Sequence, residues 1–264
     1  MASHQNRKES PLRQAPLRNA GESGSERLWG HLLDEAAPWL SVCVVLVLVA
    51  VLEWLIWLTN FRPHPIWLTL VAAALIAFFY FRKLPEIREQ VRQERLGVEG
   101  EKAVGEMLDE LKADGYHVIH DIVEDGYNID HVLIGPTGVY VIETKTRSKK
   151  PGRGKVSVTY DGRHVLVDGH APDRDPLKQV QALADRVRDI LRERTGMSPP
   201  IRPVVLFPGR WVDPQPKGVA IWVLNEKALP KFVCEEPVRV NPADVRTLVA
   251  ALESHVRTKE REAR

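Results

Sequence analysis

Cysteine is almost absent: Cys43, in an apolar run, and Cys234, far downstream, are the only two in 264 residues. Two distant thiols build neither a disulfide framework nor a cysteine metal cluster, so nothing in the chain demands an oxidising compartment. Net charge is small as well, with 37 Lys and Arg against 35 Asp and Glu. From Gly97 onward the two signs balance, which excludes a general polycation and leaves any nucleic-acid contact to the local placement of charge. Internal repeats and low-complexity arrays are missing too. What remains is one ordinary domain's worth of mixed sequence, 44% apolar, with something extra in front.

The extra part is a pair of apolar runs. Residues 39–59 are almost wholly apolar apart from Glu53, a length that suits a bilayer-spanning helix, and a shorter run follows at 66–81 with Trp67 and Tyr80 where interfacial aromatics would sit. Read together they predict a transmembrane helical hairpin over 38–82. Arg7, Lys8, Arg13, Arg18 and Arg27 precede it, Arg82, Lys83, Arg88, Arg92 and Arg95 follow it, and the joint carries Arg62 alone. The positive-inside rule then puts both termini on the cytoplasmic side of the cell membrane, with the lipid bilayer as a partner. Residues 1–37 read as a disordered cytoplasmic tail, with Leu28, Trp29, Leu32, Leu33 and Ala36 spaced for an interfacial helix or a lead-in to the first span. Residues 83–96 read as a charged helical stalk, and 97–264 as the cytosolic domain. Glu53 is an ionisable group in a span, either functional or reaching the headgroups.

The domain is organised around residues 128–145, Asn-Ile-Asp-His-Val-Leu-Ile-Gly-Pro-Thr-Gly-Val-Tyr-Val-Ile-Glu-Thr-Lys. Two β-branched runs flank Gly135-Pro136-Thr137-Gly138, a turn composition, so the stretch predicts a β-hairpin with Asp130 opposite Glu143. Directly opposed residues of an antiparallel pair hold their Cβ atoms about 4.5–5.5 Å apart, and like charges there repel. Side-chain alternation puts Lys145 on the face of Glu143, opposite Asn128. Converging carboxylates suit a hard divalent cation, Mg²⁺ or Mn²⁺. An exposed hairpin end with hydrated acids and Lys145 as neutraliser fits the same pattern.

The Ile-Asp, the twelve residues after it and the Glu-Thr-Lys triplet resemble the acidic signature of the PD-(D/E)XK nucleases, and the surroundings resemble its nuclease-related domain (NERD) family over roughly 97–225. Ile129 stands where the signature's name has proline, a change that leaves the carboxylate in place. The resemblance implies a restriction-endonuclease-like α/β core of helix, antiparallel strands, helix and strand. It also implies Asp130, Glu143 and the Thr144 carbonyl as metal ligands, with Lys145 as a catalytic cation.

Gly97-Val98-Glu99-Gly100-Glu101 opens a helix whose apolar face runs through Ala103, Val104, Met107, Leu108 and Leu111. Its glycines predict close approach of helix to sheet. The Gly-x-x-Gly-Glu opening resembles the family pattern, which makes Glu101 a third acid of the site; by spacing alone it is a first-turn glutamate facing the helix dipole. Asp175-Pro176 starts a second amphipathic helix. The resemblance places Gln179 near the active site, although asparagine is more usual where Asp175 stands.

His117–Ile122, 156–160, 164–167, 201–207 and 219–224 read as strands and 241–256 as a closing helix, with 257–264 a frayed tail. Arg147, Lys149, Lys150, Arg153 and Lys155 follow the acids with no carboxylate among them, a run that would track a nucleic-acid backbone or lie as a solvated loop. His117, His120 and His131 lack a second paired ligand set, which disfavours a zinc hydrolase. The expected function is a membrane-anchored, Mg²⁺-dependent nuclease acting on DNA or RNA. Its competitors are a silent nucleic-acid-binding or sensing module on the same fold and a membrane scaffold.

Overall fold

The computed structural model describes residues 17–58, 66–146 and 157–262. Two long helices come first, α1 (Glu22–Leu58) and α2 (Ile66–Glu110), lying against one another. A 3-10 turn at Leu111–Asp114 ends α2, and Gly115 closes it in the left-handed region at φ 82°. The strands β1 (His117–Glu124), β2 (Tyr127–Gly135) and β3 (Gly138–Thr144) follow as an antiparallel meander. A small hairpin, β4 (Ser157–Tyr160) with β5 (Val165–Val167), precedes α3 (Pro176–Thr195). After these come β6 (Ile201–Leu206), β7 (Trp211–Val212), β8 (Trp222–Leu224), α4 (Leu229–Glu235) and α5 (Pro242–Glu262).

The main sheet runs in the order β1-β2-β3-β6-β8, with β6 parallel to β3 and β8 parallel to β6; β5-β4-β7 form a second, smaller sheet. β3 is central and buried along its whole length. Strand alternation divides its side chains between two cores. Val139 and Val141 pack with Val132, Ile134 and the apolar stripes of α3 and α5, while Tyr140 and Ile142 pack with Leu133, Leu108 of α2 and Leu229 of α4. Asp130 and Glu143 continue the first of these rows, so both belong to the α3 side of the sheet. A third cluster, in which Val158, Val165 and Val167 meet Leu177, Val205 and Phe207, seats the small sheet beside the end of β6.

The expected core of helix, antiparallel strands, helix and a further strand is thus present, and the further strand, β6, is parallel to β3. Differences lie at its margins. The stalk expected at 83–96 is helical, but it is the middle of α2, with Pro85 inside, and runs without a break into the domain helix expected at 97. Of the tail expected to be disordered, residues 1–16 lie outside the described residues, while 17–27 are docked on the domain and helical from Glu22. Leu17 packs against the α3 core, and Ser23 is buried against β1. Polar composition hid this because the contacts are made by hydrogen bonds, not by an apolar stripe. Of the interfacial helix expected over Leu28–Ala36, the side chains of Leu32 and Ala36 lie outside those described. The closing helix extends to Glu262 instead of fraying after Val256, with Lys259 paired to Asp125 at 3.0 Å. β7 and α4 are elements that the sequence reading lacked, and the strand expected at 219–224 narrows to Trp222–Leu224.

Among the described residues no helix is long and apolar enough to cross a membrane. The two transmembrane helices expected within 38–82 therefore find no support in the structure. The side chains of α1 are described without interruption from Trp39 to Leu55, and the joint at 59–65 lies outside the described residues.

Candidate active site

The hairpin register is the one that opposes Asp130 and Glu143: His131 pairs with Ile142 and Val132 with Val141, and the two acids continue that ladder outward. They sit where β2 parts from β3. Asp130 Oδ2 accepts the backbone N–H of Thr144 at 2.7 Å, which fixes its carboxylate against the end of β3. Lys145 does not pair across to Asn128. The pairing to β2 has ended there while the pairing to β6 goes on, and the Lys145 amide donates to Leu206 O at 2.8 Å.

The Lys145 side chain returns to the acids all the same. Its Nζ donates to Glu143 Oε1 at 2.6 Å and to Gln179 Oε1 at 2.8 Å, and Gln179 Nε2 donates to the same Glu143 oxygen at 2.6 Å. Gln179 reaches this point because Asp175 caps α3, its side chain accepting from Leu177 N and Lys178 N, which starts the helix one turn before the site. The sequence-predicted set Asp130, Glu143, Lys145 and Gln179 is therefore brought together.

Glu101 lies at the flank. Its helix comes close because position 100 has no side chain: a Cβ on Gly100 would stand 2.1 Å from Thr146 Cγ2. Close approach of α2 to the end of β3 is what the glycine-rich opening predicted. Glu101 is half-buried beneath the docked N-terminal segment, with its Oε2 within 3.5 Å of where a Cβ on Gly21 would be. Arg147, Lys149, Lys150, Arg153 and Lys155 lie outside the described residues.

Electrostatics follow from this crowding. Burial lifts the Asp130 carboxyl well above its ordinary range, and the neighbouring Glu143 and Glu101 lift it further against the Thr144 amide and Lys145. Burial also raises Glu143, opposed by Lys145 and Gln179. Glu101 is pushed up to about 7 by burial first and by Asp121 next, with Arg27 opposing. A carboxyl environment that disfavours ionisation without a cation is one that a cation relieves.

The residues present can be tested against a divalent metal. Glu143 is only 4% exposed, yet its Oε2 is buried without a hydrogen-bond partner, as is Thr144 Oγ1 beside it. An orphaned carboxylate oxygen on a residue level with a second buried acid fits a hard cation. The donor set is small: among the described residues no three His, Cys, Asp or Glu side chains are gathered to hold a metal. Asp130 and Glu143 form the pair, and Glu101 stands beside it rather than within a three-acid cluster.

Sequence reasoning missed Asp121. Its neighbours pair as His120 with His131 and Ile122 with Ile129, so it lies level with Asp130 on the next strand, at a left-handed φ of 50°. Its carboxylate is taken by the N-terminal segment: Oδ2 accepts Ser23 N at 2.6 Å, Oδ1 accepts the Ser23 hydroxyl and, at 3.2 Å, Asn128 Nδ2, and Arg18 lies 3.7 Å away. A third acid in register with the opposed pair was the available signal. His131 is fully buried on the other face, its Nδ1 2.9 Å from that of His120, and burial pushes it down to about 3.

Residues 96–208 match the sequence model of the nuclease-related domain (NERD) family. An uncharacterized protein of Bacillus anthracis is 43% identical over 54 residues, 19% of this chain and 26% of that protein, so the chain spans about a quarter of that relative's length. Among solved structures, Pyrococcus furiosus SfsA in complex with Ca²⁺ aligns with 63% of this chain and 54% of that one, at 15% identity and a TM-score of 0.23.

Proposed function

We propose that the chain is a metal-dependent nuclease that hydrolyses phosphodiester bonds of DNA or RNA, held at the cytoplasmic face of the cell membrane. The matched domain supports a nuclease-related function with a nucleic-acid partner. The observation that carries the catalytic reading is the buried, unpartnered Glu143 Oε2, on a residue level with Asp130 at a sheet corner that also holds Lys145 and Gln179.

In this reading Asp130, Glu143 and the Thr144 carbonyl hold Mg²⁺ or Mn²⁺. The cation's contribution is to polarise a phosphoryl oxygen and to make water acidic enough to attack at neutral pH. The chain's own residues do the rest. The Thr144 N–H holds Asp130 through Oδ2, which leaves its other oxygen for the cation. Gln179 fixes Glu143 through Oε1 and so directs Oε2 at the site. Lys145, a compact ammonium, neutralises charge that develops on the phosphate and is positioned by Gln179 from the opposite side. Glu101 is the reserve acid at the flank, available to take a proton near neutrality.

Anchoring rests on a separate feature. Val44, Leu48, Val51 and Trp54 of α1 and Leu75, Phe78 and Phe81 of α2 are all exposed, an apolar surface far larger than a water-facing helix pair carries. The proposed partner for that surface is the hydrocarbon of a bilayer. Flotation of the full chain with liposomes tests it, and recovery in the dense fraction after carbonate washing overturns it.

The catalytic test is cleavage of a fluorescent oligonucleotide by the full chain with Mg²⁺, with chelator, and with Glu143→Ala. Mg²⁺-dependent cutting that the substitution abolishes supports the proposal; equal cutting by both proteins removes it. One observation favours the silent-module reading: Lys145, Glu143 and Gln179 already satisfy one another through Glu143 Oε1, and no three-acid cluster is formed among the described residues. Salt-sensitive retention of the oligonucleotide without any Mg²⁺-dependent cutting would select it.

A further inference from the structure

Beyond Lys145, on the side away from Asp130, lies a cleft of about 270 Å³ that the proposed hydrolysis does not use. Val167 at the end of β5, Phe207 just past β6, Pro172 from the lead-in to α3 and Pro176 at its first position give it apolar walls. Lys145, Thr146, Asp173 and Arg174 form the polar part of its lining. Lys145 thus belongs to two places at once. Its Nζ is bonded to Glu143 and Gln179, while the same side chain lines the cleft.

The chemistry of the lining selects a ligand that joins a flat apolar ring to a negative charge. Aliphatic, proline and aromatic walls receive a planar ring by stacking and van der Waals contact, and two cations suit a phosphodiester attached to it. Arg174 is exposed and has no ion-pair partner among the described residues, so it is available for that contact. The volume lies just below the roughly 300–1,000 Å³ of drug-sized pockets, a size that suits one ring system. Continuity with Lys145 puts the ring on the nucleotide next to the phosphate held at the acids.

We infer that this cleft seats the unpaired base of the nucleotide adjoining the scissile phosphate, so that the site takes single strands, overhangs and frayed ends in preference to continuous duplex. The inference rests on the nuclease reading for the position of the phosphate. A base inside a duplex is stacked and paired and cannot enter without being extruded, whereas an unpaired base enters freely. The small sheet thereby gains a purpose: packed on the third core, it brings Val167 of β5 to one wall of the cleft.

The test measures binding in chelator, where nothing is cut. Full chain is titrated into a fluorescein-labelled oligothymidylate and into a blunt duplex of equal length, and affinity is read by anisotropy. Wild type should hold the single strand about tenfold more tightly than the duplex, in line with stacking of one base. Pro172→Trp, which fills a half-exposed wall of the cleft, and Arg174→Glu, on the exposed lining, should each bring that ratio to within about twofold of one. Circular dichroism matched to wild type shows that the variants fold. A ratio near one in wild type, or a wild-type ratio unchanged in both variants, overturns the inference. Mg²⁺-dependent cutting that persists in that case leaves the nuclease reading standing. A ratio that behaves as expected in a protein that never cuts removes the nuclease reading and keeps the cleft.

Discussion

Replacing Glu101 by glutamine should remove the pH dependence that this residue imposes on folding. Its carboxyl titrates near 7 in the folded chain against an ordinary value of 4.5, because burial and the charges of Asp121 and Glu143 disfavour its ionised form. A folded-state value above the unfolded one means that the native chain holds the proton more tightly. Stability is therefore intact below 4.5 and declines as pH rises to about 7. The interval from 4.5 to about 7, at about 1.4 kcal/mol per pH unit, sets a ceiling of about 3 kcal/mol, and water on the open side of Glu101 reduces it toward about 1 kcal/mol. Glutamine keeps the shape and never ionises. Urea titrations of wild type and Glu101→Gln at pH 4.5, 6 and 8 in chelator should show the variant gaining about 1–3 kcal/mol on wild type across that range. A constant offset at all three values would refute the claim that the flank of the site is short of positive charge. Adding Mg²⁺ at pH 8 should then stabilise wild type, since a cation bound by the native state alone supplies the missing charge.

Four further outcomes are expected. Lys145→Ala should retain the fold and lose cleavage by about 10²-fold or more, with Lys145→Arg failing to rescue because a planar fork does not fit between Glu143 and Gln179; single-turnover cleavage reads both. Gly100→Ala should cost about 1–3 kcal/mol in urea denaturation through its clash with Thr146, and Gly100→Ala with Thr146→Ala should recover most of it. Glu124→Ala should cost about 3 kcal/mol, because it strands Arg186 of α3 at 3.1 Å and His255 of α5, which meet at that carboxylate; thermal unfolding reports it. Asp121→Ala should free the 17–27 segment from β1, read as faster proteolysis near Arg27 with cleavage sites in the domain unaffected.

Much of the site was legible because its spacing is enforced by a tight turn. Gly135-Pro136-Thr137-Gly138 fixes the hairpin register, and the register alone brings Asp130 level with Glu143. Alternation then carries both acids to the α3 side, where an N-capping aspartate and a proline announce the helix that delivers Gln179. Local rules suffice for each of these steps. Where Lys145 goes was not legible by the same rules, since β3 is paired along almost its whole length to β6 as well and keeps that partner after β2 has parted from it, and the hairpin pattern holds no trace of the second neighbour.

Asp121 and the N-terminal segment show what lies beyond any such reading. A Ser-rich stretch with no apolar period is indistinguishable in sequence from a solvated tail, yet Ser23 is buried because one carboxylate on a distant strand accepts both its amide and its hydroxyl. The pairing is separated by about a third of the chain, and neither partner's neighbours betray it. Its position gives it weight all the same: the carboxylate that fastens the segment is level with Asp130, and the segment lies over Glu101. Of the two helices that carry the exposed apolar surface, α1 is therefore joined to the acids through the hydrogen bonds of Ser23 to Asp121, and α2 runs unbroken into the turn that holds Glu101, so both lead from that surface to the flank of the proposed chemistry.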